Sequence, residues 1–213
     1  MKKTQTWRVA MALAAWAFCA SAWAQAVPKP KEFYFDEDRS TTRPVVVVSG
    51  QGDAVVDKLA TLVQRDPRAV EARVQLGTLA ISGGRRELGD QLYKAALESL
   101  STSSQQYRQA AWNYGWALLR AGDPEQALHQ WIALSGGRPA TPNWLPPTLA
   151  LTLWKLDRKE EAISWFGAAA RTWPDQWGDP GNFATLLPDW SDDERAALAA
   201  VLAAYQANPP AWP

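Results

Sequence analysis

The chain has 213 residues, with 22 basic and 22 acidic side chains, thirteen tryptophans, one histidine and one cysteine. A chain with no net charge and no basic run is not suited to binding nucleic acid or an anionic membrane surface. With a single histidine and a single cysteine, the usual nucleophile–base pairs and zinc sites have too few residues to form. We therefore expect a protein that is not an enzyme and that carries no cofactor and no metal.

Residues 1–24 have the pattern of a cleavable signal peptide. Three basic residues flank the start of an apolar run, and Ala-Trp-Ala at 22–24 offers the small residues of a cleavage site. The run is shorter than the roughly 20 residues that span a membrane. We expect cleavage after Ala24, a periplasmic or secreted protein, and no membrane span afterwards. Cleavage would remove Cys19 and leave 19 basic against 22 acidic residues, so the fold would rest on packing and not on disulfides.

Residues 25–52 lack a helical pattern. Three prolines and the acidic run at 32–38 predict an extended, partly disordered arm. The β-branched run Val45–Val48 prefers an extended backbone. Two alternatives follow: the arm packs against the rest of the chain, or its β-branched run adds a strand to the sheet edge of a partner.

Apolar residues at helical spacing predict a series of helices from residue 53 onward. Asp53 stands where an N-cap is expected. The prolines between 139 and 147 predict a loop and a late start of the helix that follows. The predicted helices cover 54–64, 69–82, 86–100, about 105–120, about 124–135, 148–156, 159–172 and 192–207.

The helices fall into pairs with matching residues at a regular spacing. Gly115 and Ala150 are 35 residues apart, as are Ala127 and Ala162, and Gly77 precedes Gly115 by 38 residues. Small residues of this kind let two helices cross closely, and Gly115 is expected to face Ala127. Assigning the excess of four residues to a serine-rich break brings the period near 34. This pattern resembles the tetratricopeptide repeat (TPR).

The resemblance covers residues 53–175 and implies an all-α fold. The expected architecture is a right-handed α-solenoid of about three TPR-like helical hairpins, preceded by the extended arm. Gly89 departs from the family, which usually has alanine there. Residues 176–213 do not continue the pattern, since glycines and prolines exclude a long helix over 177–190. Ser191 and Glu194 form a capping box that opens a C-terminal capping helix, expected to cover the end of the repeats.

In this family the first helices of the hairpins line a concave groove that binds peptides. The resemblance therefore implies a peptide-binding groove, in which tryptophan anchors and a few polar groups contact the partner. The expected groove residues are Trp112, Asn113, Trp116, Arg120, Trp144, Leu151, Trp154 and Lys155. Trp112 and Trp116 are one helical turn apart and should lie side by side. Two alternatives stay open: the tryptophans fill gaps between repeats or contact the terminal segments, and the arm itself occupies the groove.

An exported bacterial TPR protein is thus expected to be a non-enzymatic protein–protein interaction module of the cell envelope. It would hold a protein or peptide partner within an assembly, transport or energy-transduction complex. The alternative is an accessory or glycan-binding subunit of an envelope enzyme, because tryptophan also stacks on sugars. The sequence favours no particular oligomeric state.

Overall fold

The computed structural model describes residues 26–30, 35–136 and 140–211. The predicted signal peptide lies outside these residues. Helices make up most of the described chain, which confirms the all-α prediction. They are α1 (Asp53–Arg65), α2 (Val70–Ser82), α3 (Arg86–Glu98), α4 (Gln105–Arg120), α5 (Pro124–Ser135), α6 (Leu145–Lys155), α7 (Lys159–Thr172), α8 (Pro174–Trp177), α9 (Phe183–Leu186) and α10 (Asp192–Ala207), with a 3-10 turn at Pro180–Asn182. In the described ranges, no helix combines the length and the apolar character needed to cross a membrane.

Two very short strands connect the arm to the helices. β1 (Phe35–Asp36) pairs in parallel with β2 (Thr141–Pro142), which lies between α5 and α6. The backbone N–H of Asn143 adds a hydrogen bond of 2.9 Å to the carbonyl of Asp36. Of the two alternatives for the arm, the structure therefore has the arm packed against the protein's own helices.

Consecutive helices pack in pairs: α2 with α3, α4 with α5, and α6 with α7. Each pair is joined by a short turn in which one residue adopts a left-handed backbone conformation. These residues are Gly84 (φ 75°), Gly122 (φ 84°) and Asp157 (φ 59°). They are 38 and 35 residues apart, which is the spacing found for the small residues of the helices. The repeat is therefore present in the backbone as well as in the sequence.

Glycines allow close contact inside two of these pairs. A Cβ on Gly115 would overlap the indole of Trp131, so the missing side chain makes room for this ring of α5. A Cβ on Gly89 would overlap the side chain of Ile81 and lie 2.9 Å from the carbonyl oxygen of Gly77. This contact explains why position 89 has no side chain.

The pairs are connected into one body by contacts of α2 with α4 and of α5 with α6, and α1 packs on α2. At the other end, α10 packs on α6 and α7. Its residues Leu198, Val201 and Leu202 are buried in a core that also contains the interior of α4 to α7. The C-terminal helix thus covers the last pair.

Most helix limits lie within one residue of the predicted ones, and three differences are informative. α6 begins at Leu145 and not at 148, because Pro146 and Pro147 lie in its first turn, where no backbone N–H is needed for the helix. Gly52 is the N-cap of α1, and Asp53 is its first helical residue. α3 ends at Glu98 instead of 100.

The capping box of α10 is confirmed. The Ser191 hydroxyl accepts a hydrogen bond from the backbone N–H of Glu194 (3.2 Å), and the Glu194 carboxylate accepts one from the backbone N–H of Ser191 (2.8 Å). Both donors belong to the first turn, where a helix provides no acceptor of its own.

Candidate peptide-binding groove

A cavity of about 930 Å³ lies between the arm and the segment that precedes α10. Arm residues between 37 and 46 form one wall, the segment 173–190 forms the other, and α2 and α4 lie between them. Six tryptophans contribute to its lining: Trp112, Trp116, Trp144, Trp173, Trp177 and Trp190. We call it the tryptophan cavity.

Five of the eight residues expected in the groove line this cavity. They are Trp112, Asn113, Trp116, Arg120 and Trp144.

The other three expected groove residues, all on α6, lie elsewhere. Leu151 is completely buried in the core, so a partner cannot contact it. Trp154 is half-buried, and the ammonium of Lys159 lies 3.7 Å from its ring centre. Lys155 is exposed outside the cavity lining. Because α10 packs against α6, the groove ends at the start of α6 and does not continue along it.

The two tryptophans of α4 are more deeply buried than expected for residues that contact a partner. Trp112 is 8% exposed and Trp116 5% exposed. They contact each other edge to face, with ring centres 5.9 Å apart, and Trp116 also contacts Trp131 at 5.3 Å and Trp190 at 5.1 Å. They thus pack between α4, α5 and the C-terminal segment, in line with the alternative in which the tryptophans contact the terminal segments. Neither indole N–H has an acceptor among the residues that the structure describes.

Arg120 holds the C-terminal segment in place. Its guanidinium lies 4.8 Å from the ring centre of Trp116 and donates to both carboxylate oxygens of Glu194, at 2.9 and 3.1 Å. It also donates to the backbone carbonyl of Asp189 at 2.9 Å. Burial alone would raise the pKa of Glu194, but the hydrogen bonds from Arg120 and the Ser191 N–H, with the positive charge of Arg120, hold that pKa below its usual value.

The arm lies in the groove along α2 and α4, and hydrogen bonds to its backbone hold it there. Asn113 accepts from the N–H of Val45 (3.2 Å) and donates to the carbonyl of Arg43 (3.1 Å). Gln75 accepts from the N–H groups of Val47 (2.7 Å) and Val48 (3.0 Å) and donates to the carbonyl of Val48 (2.8 Å). Such amide contacts depend on an extended backbone and not on the identity of the arm's side chains.

Two side chains of the arm, Asp38 and Thr41, are also bound by the helices: Gln105 of α4 donates to the Thr41 hydroxyl oxygen at 3.2 Å. The carboxylate of Asp38 accepts hydrogen bonds from Arg108 (3.0 Å), the indole N–H of Trp144 (3.2 Å) and the hydroxyl of Thr41 (2.8 Å). Its side chain is 2% exposed, and that of Arg108 is 11% exposed. Burial would raise the pKa of Asp38, but these three hydrogen bonds and the charge of Arg108 outweigh burial and lower it. We call Arg108 and Trp144 the carboxylate pocket.

The sequence-based list of groove residues did not include Gln75 and Arg108. Gln75 precedes Asn113 by 38 residues, the spacing of the first two repeats, and each stands two residues before a crossing glycine. The repeat spacing therefore indicated that these two side-chain amides occupy equivalent positions. Arg108 has no comparable signal, because its partner Asp38 lies 70 residues away in the chain.

The comparison with protein families, with curated proteins and with solved structures finds no match to this chain. The resemblance to TPR proteins rests on the residues and their spacing.

Proposed function

We propose that this protein is an exported TPR-like right-handed α-solenoid that binds an extended segment of a protein partner in the cell envelope, without catalysing a reaction. The regular spacing of the left-handed turn residues and of the small residues at the helix crossings supports the repeat architecture. Binding of this kind suits a component of an envelope assembly, transport or energy-transduction complex.

The observation that carries the proposal is the manner in which the arm is held. Two side-chain amides at equivalent repeat positions, Gln75 and Asn113, bond to both N–H and C=O groups of an extended backbone. Main-chain hydrogen bonds of this type are a general means of binding an extended peptide. A surface that holds one extended segment in this way is suited to an extended segment of a partner.

The tryptophan cavity, which the arm itself lines, offers room for such a segment. Its volume of about 930 Å³ is at the upper end of the roughly 300–1,000 Å³ that is usual for ligand pockets. Exposed polar and charged side chains, among them Glu37, Arg39 and Gln176, stand at its edge beside the tryptophans. An apolar interior with a polar edge is typical of protein-binding sites.

The burial of the tryptophans favours a peptide over a glycan. Stacking on a sugar requires an accessible ring face, and five of the six tryptophans of the cavity are at most 8% exposed. Their rings are covered by other aromatic rings and by the core.

Site-specific photo-crosslinking in cells tests the proposal. A photoreactive phenylalanine is placed at Ser82, Ala121 or Gln176, which are exposed and line the cavity. The matched controls carry it at Lys94 and His129, which are exposed and do not line it. We expect a discrete protein adduct from the cavity positions alone. Adducts that are absent from the cavity positions, or equal from both sets, would contradict the proposal.

Export has a separate test. The mass of the protein purified from an envelope fraction should correspond to a chain that begins at Gln25. An unprocessed chain in the cytoplasmic fraction would contradict the assignment to the envelope.

A further inference from the structure

The arm is attached to the helices mainly by one carboxylate and by hydrogen bonds to its backbone. We propose that arm residues 38–48 are a displaceable occupant of the groove, and that an acidic side chain of a partner's extended segment replaces Asp38 in the carboxylate pocket. This inference rests on the proposed function and deepens it, because it names the chemical class of the partner segment and the element that controls access to its site.

The carboxylate pocket belongs to the helical body and not to the arm. Arg108 lies on α4 and also donates to the carbonyl of Leu134 on α5, at 3.2 Å. Trp144, the N-cap residue of α6, is buried. The two donors that hold the Asp38 carboxylate from outside the arm are therefore held by helices that remain when the arm leaves.

The carboxylate pocket favours replacement of the arm by a partner segment over departure of the arm alone. Arg108 is almost completely buried, and a buried cation without an anion is strongly unfavourable. If the arm left without a replacement, Arg108 would lose its carboxylate. A partner segment that brings its own Asp or Glu side chain restores the ion pair, so charge complementarity selects an acidic segment.

Apart from the hydrogen bond of Gln105 to the Thr41 hydroxyl, the remaining contacts select an extended backbone. Gln75 and Asn113 bond to backbone groups of arm residues 43–48. The side chains of Val46 and Val47 are 62% and 43% exposed, so they add little to the attachment. A segment with an acidic residue followed by a short extended stretch can form the same contacts.

The link between the arm and α1 suits such an exchange. Residues 49–52 are exposed, and Gly50 and Gly52 have φ angles of 116° and 81°. Glycine adopts many backbone conformations at low cost. The arm can therefore move at this link without a change in α1.

A peptide-binding experiment on the full mature chain tests the inference. The probe is a fluorescent synthetic peptide with the sequence of residues 35–49, and a second peptide carries Asp38→Asn. The proteins are the unaltered chain and the variant Asp38→Lys, in which the like charge beside Arg108 releases the chain's own arm. The matched control is Lys94→Ala, since the ion pair of Lys94 with Glu98 is exposed and Lys94 does not line the cavity.

We expect Asp38→Lys to bind the acidic peptide at least about tenfold more tightly than the unaltered chain or Lys94→Ala does, measured by fluorescence anisotropy. The Asp38→Asn peptide should bind the same variant at least about tenfold more weakly, since a buried hydrogen-bonded charge pair is lost. Far-UV circular dichroism should show that the variant keeps its helix content.

A folded Asp38→Lys variant that binds neither peptide, or both equally, would overturn the inference. A variant that loses its helices would also overturn it, because a displaceable occupant is not essential to the fold. Cavity-specific crosslinks in cells, together with failure of peptide binding, would remove this inference and leave the proposed function standing.

Discussion

The arm and the C-terminal segment are fastened to the same helix by the same kind of contact. Arg108 of α4 pairs with Asp38 of the arm at 3.0 Å, and Arg120 of α4 pairs with Glu194 at the start of α10 at 2.9 Å. Both carboxylate side chains are nearly inaccessible to solvent. The arginines differ, since Arg108 is 11% exposed and Arg120 is 50% exposed, so the ion pair of the arm is the more buried one.

Their apolar surroundings differ. The C-terminal segment places Trp177, Phe183 and Trp190 in the main core, together with one face of α10. Among the described arm residues, Val27, Val45 and Val48 pack against an apolar core, and all three are only partly buried. Full burial of a large apolar side chain stabilises by about 1.5–3 kcal/mol, so the C-terminal segment is a permanent part of the fold while the arm is held mainly by polar contacts. Apolar burial, and not the ion pair, decides which end of the chain can leave.

The largest predicted difference between the two regions comes from removing one apolar side chain from each. Phe183→Ala should lower the free energy of unfolding by about 3–5 kcal/mol, since the ring is fully buried. Val45→Ala should lower it by about 1 kcal/mol or less, since this side chain is partly exposed. Urea unfolding followed by circular dichroism measures both. Equal losses would show that the arm belongs to the core.

A smaller effect is expected from the capping box that places Glu194. Ser191→Ala removes the hydroxyl that caps α10 and should cost about 1 kcal/mol in the free energy of unfolding. Ser103→Ala is the matched control, because Ser103 is exposed and caps no helix. The same urea titration applies. A similar loss in both variants would argue against a contribution from the cap.

The smallest effects are expected on mild acidification, and they test whether the two ion pairs are alike. The pKa values of Asp38 and Glu194 are lowered from their usual 3.8 and 4.5. A lowered folded-state pKa gives stabilisation that is present above the usual value and lost as pH falls through the folded value. Both attachments should therefore persist from pH 8 to about 5 and weaken only below about 4.

Amide hydrogen exchange distinguishes the outcomes of that acid titration. The amide of Val47, in the arm, should lose protection by local opening, while that of Leu202 in α10 should remain protected until the whole protein unfolds. Simultaneous loss of protection at both positions would mean that arm and C-terminal segment open as one unit.

Much of the helical architecture was predictable because local signals mark its limits. α7 and α10 begin and end at the predicted residues, at turn residues and at a capping box. The start of α6 was predicted too late because two prolines were interpreted as part of a loop, although proline also suits the first turn of a helix.

The groove was less predictable because it depends on distant parts of the chain. The burial of Trp116 follows from contact with Trp190, and the role of Arg120 from contact with Glu194, 74 residues away. Helical spacing shows on which side a tryptophan lies, but an exposed anchor and a buried packing residue give the same pattern. The equivalence of Gln75 and Asn113 was within reach, since it follows the repeat spacing.

The spacing of two arginines on one helix also determines how long an extended peptide must be to connect them. Arg108 and Arg120 are 12 residues apart in α4, which is about 18 Å along the helix axis at 1.5 Å per residue. An extended peptide covers that distance with about five or six residues, at roughly 3.3 Å each. The length of α4 between these arginines therefore determines how many residues can bridge them. A segment that binds Arg108 and runs along this helix reaches the C-terminal segment after about six residues.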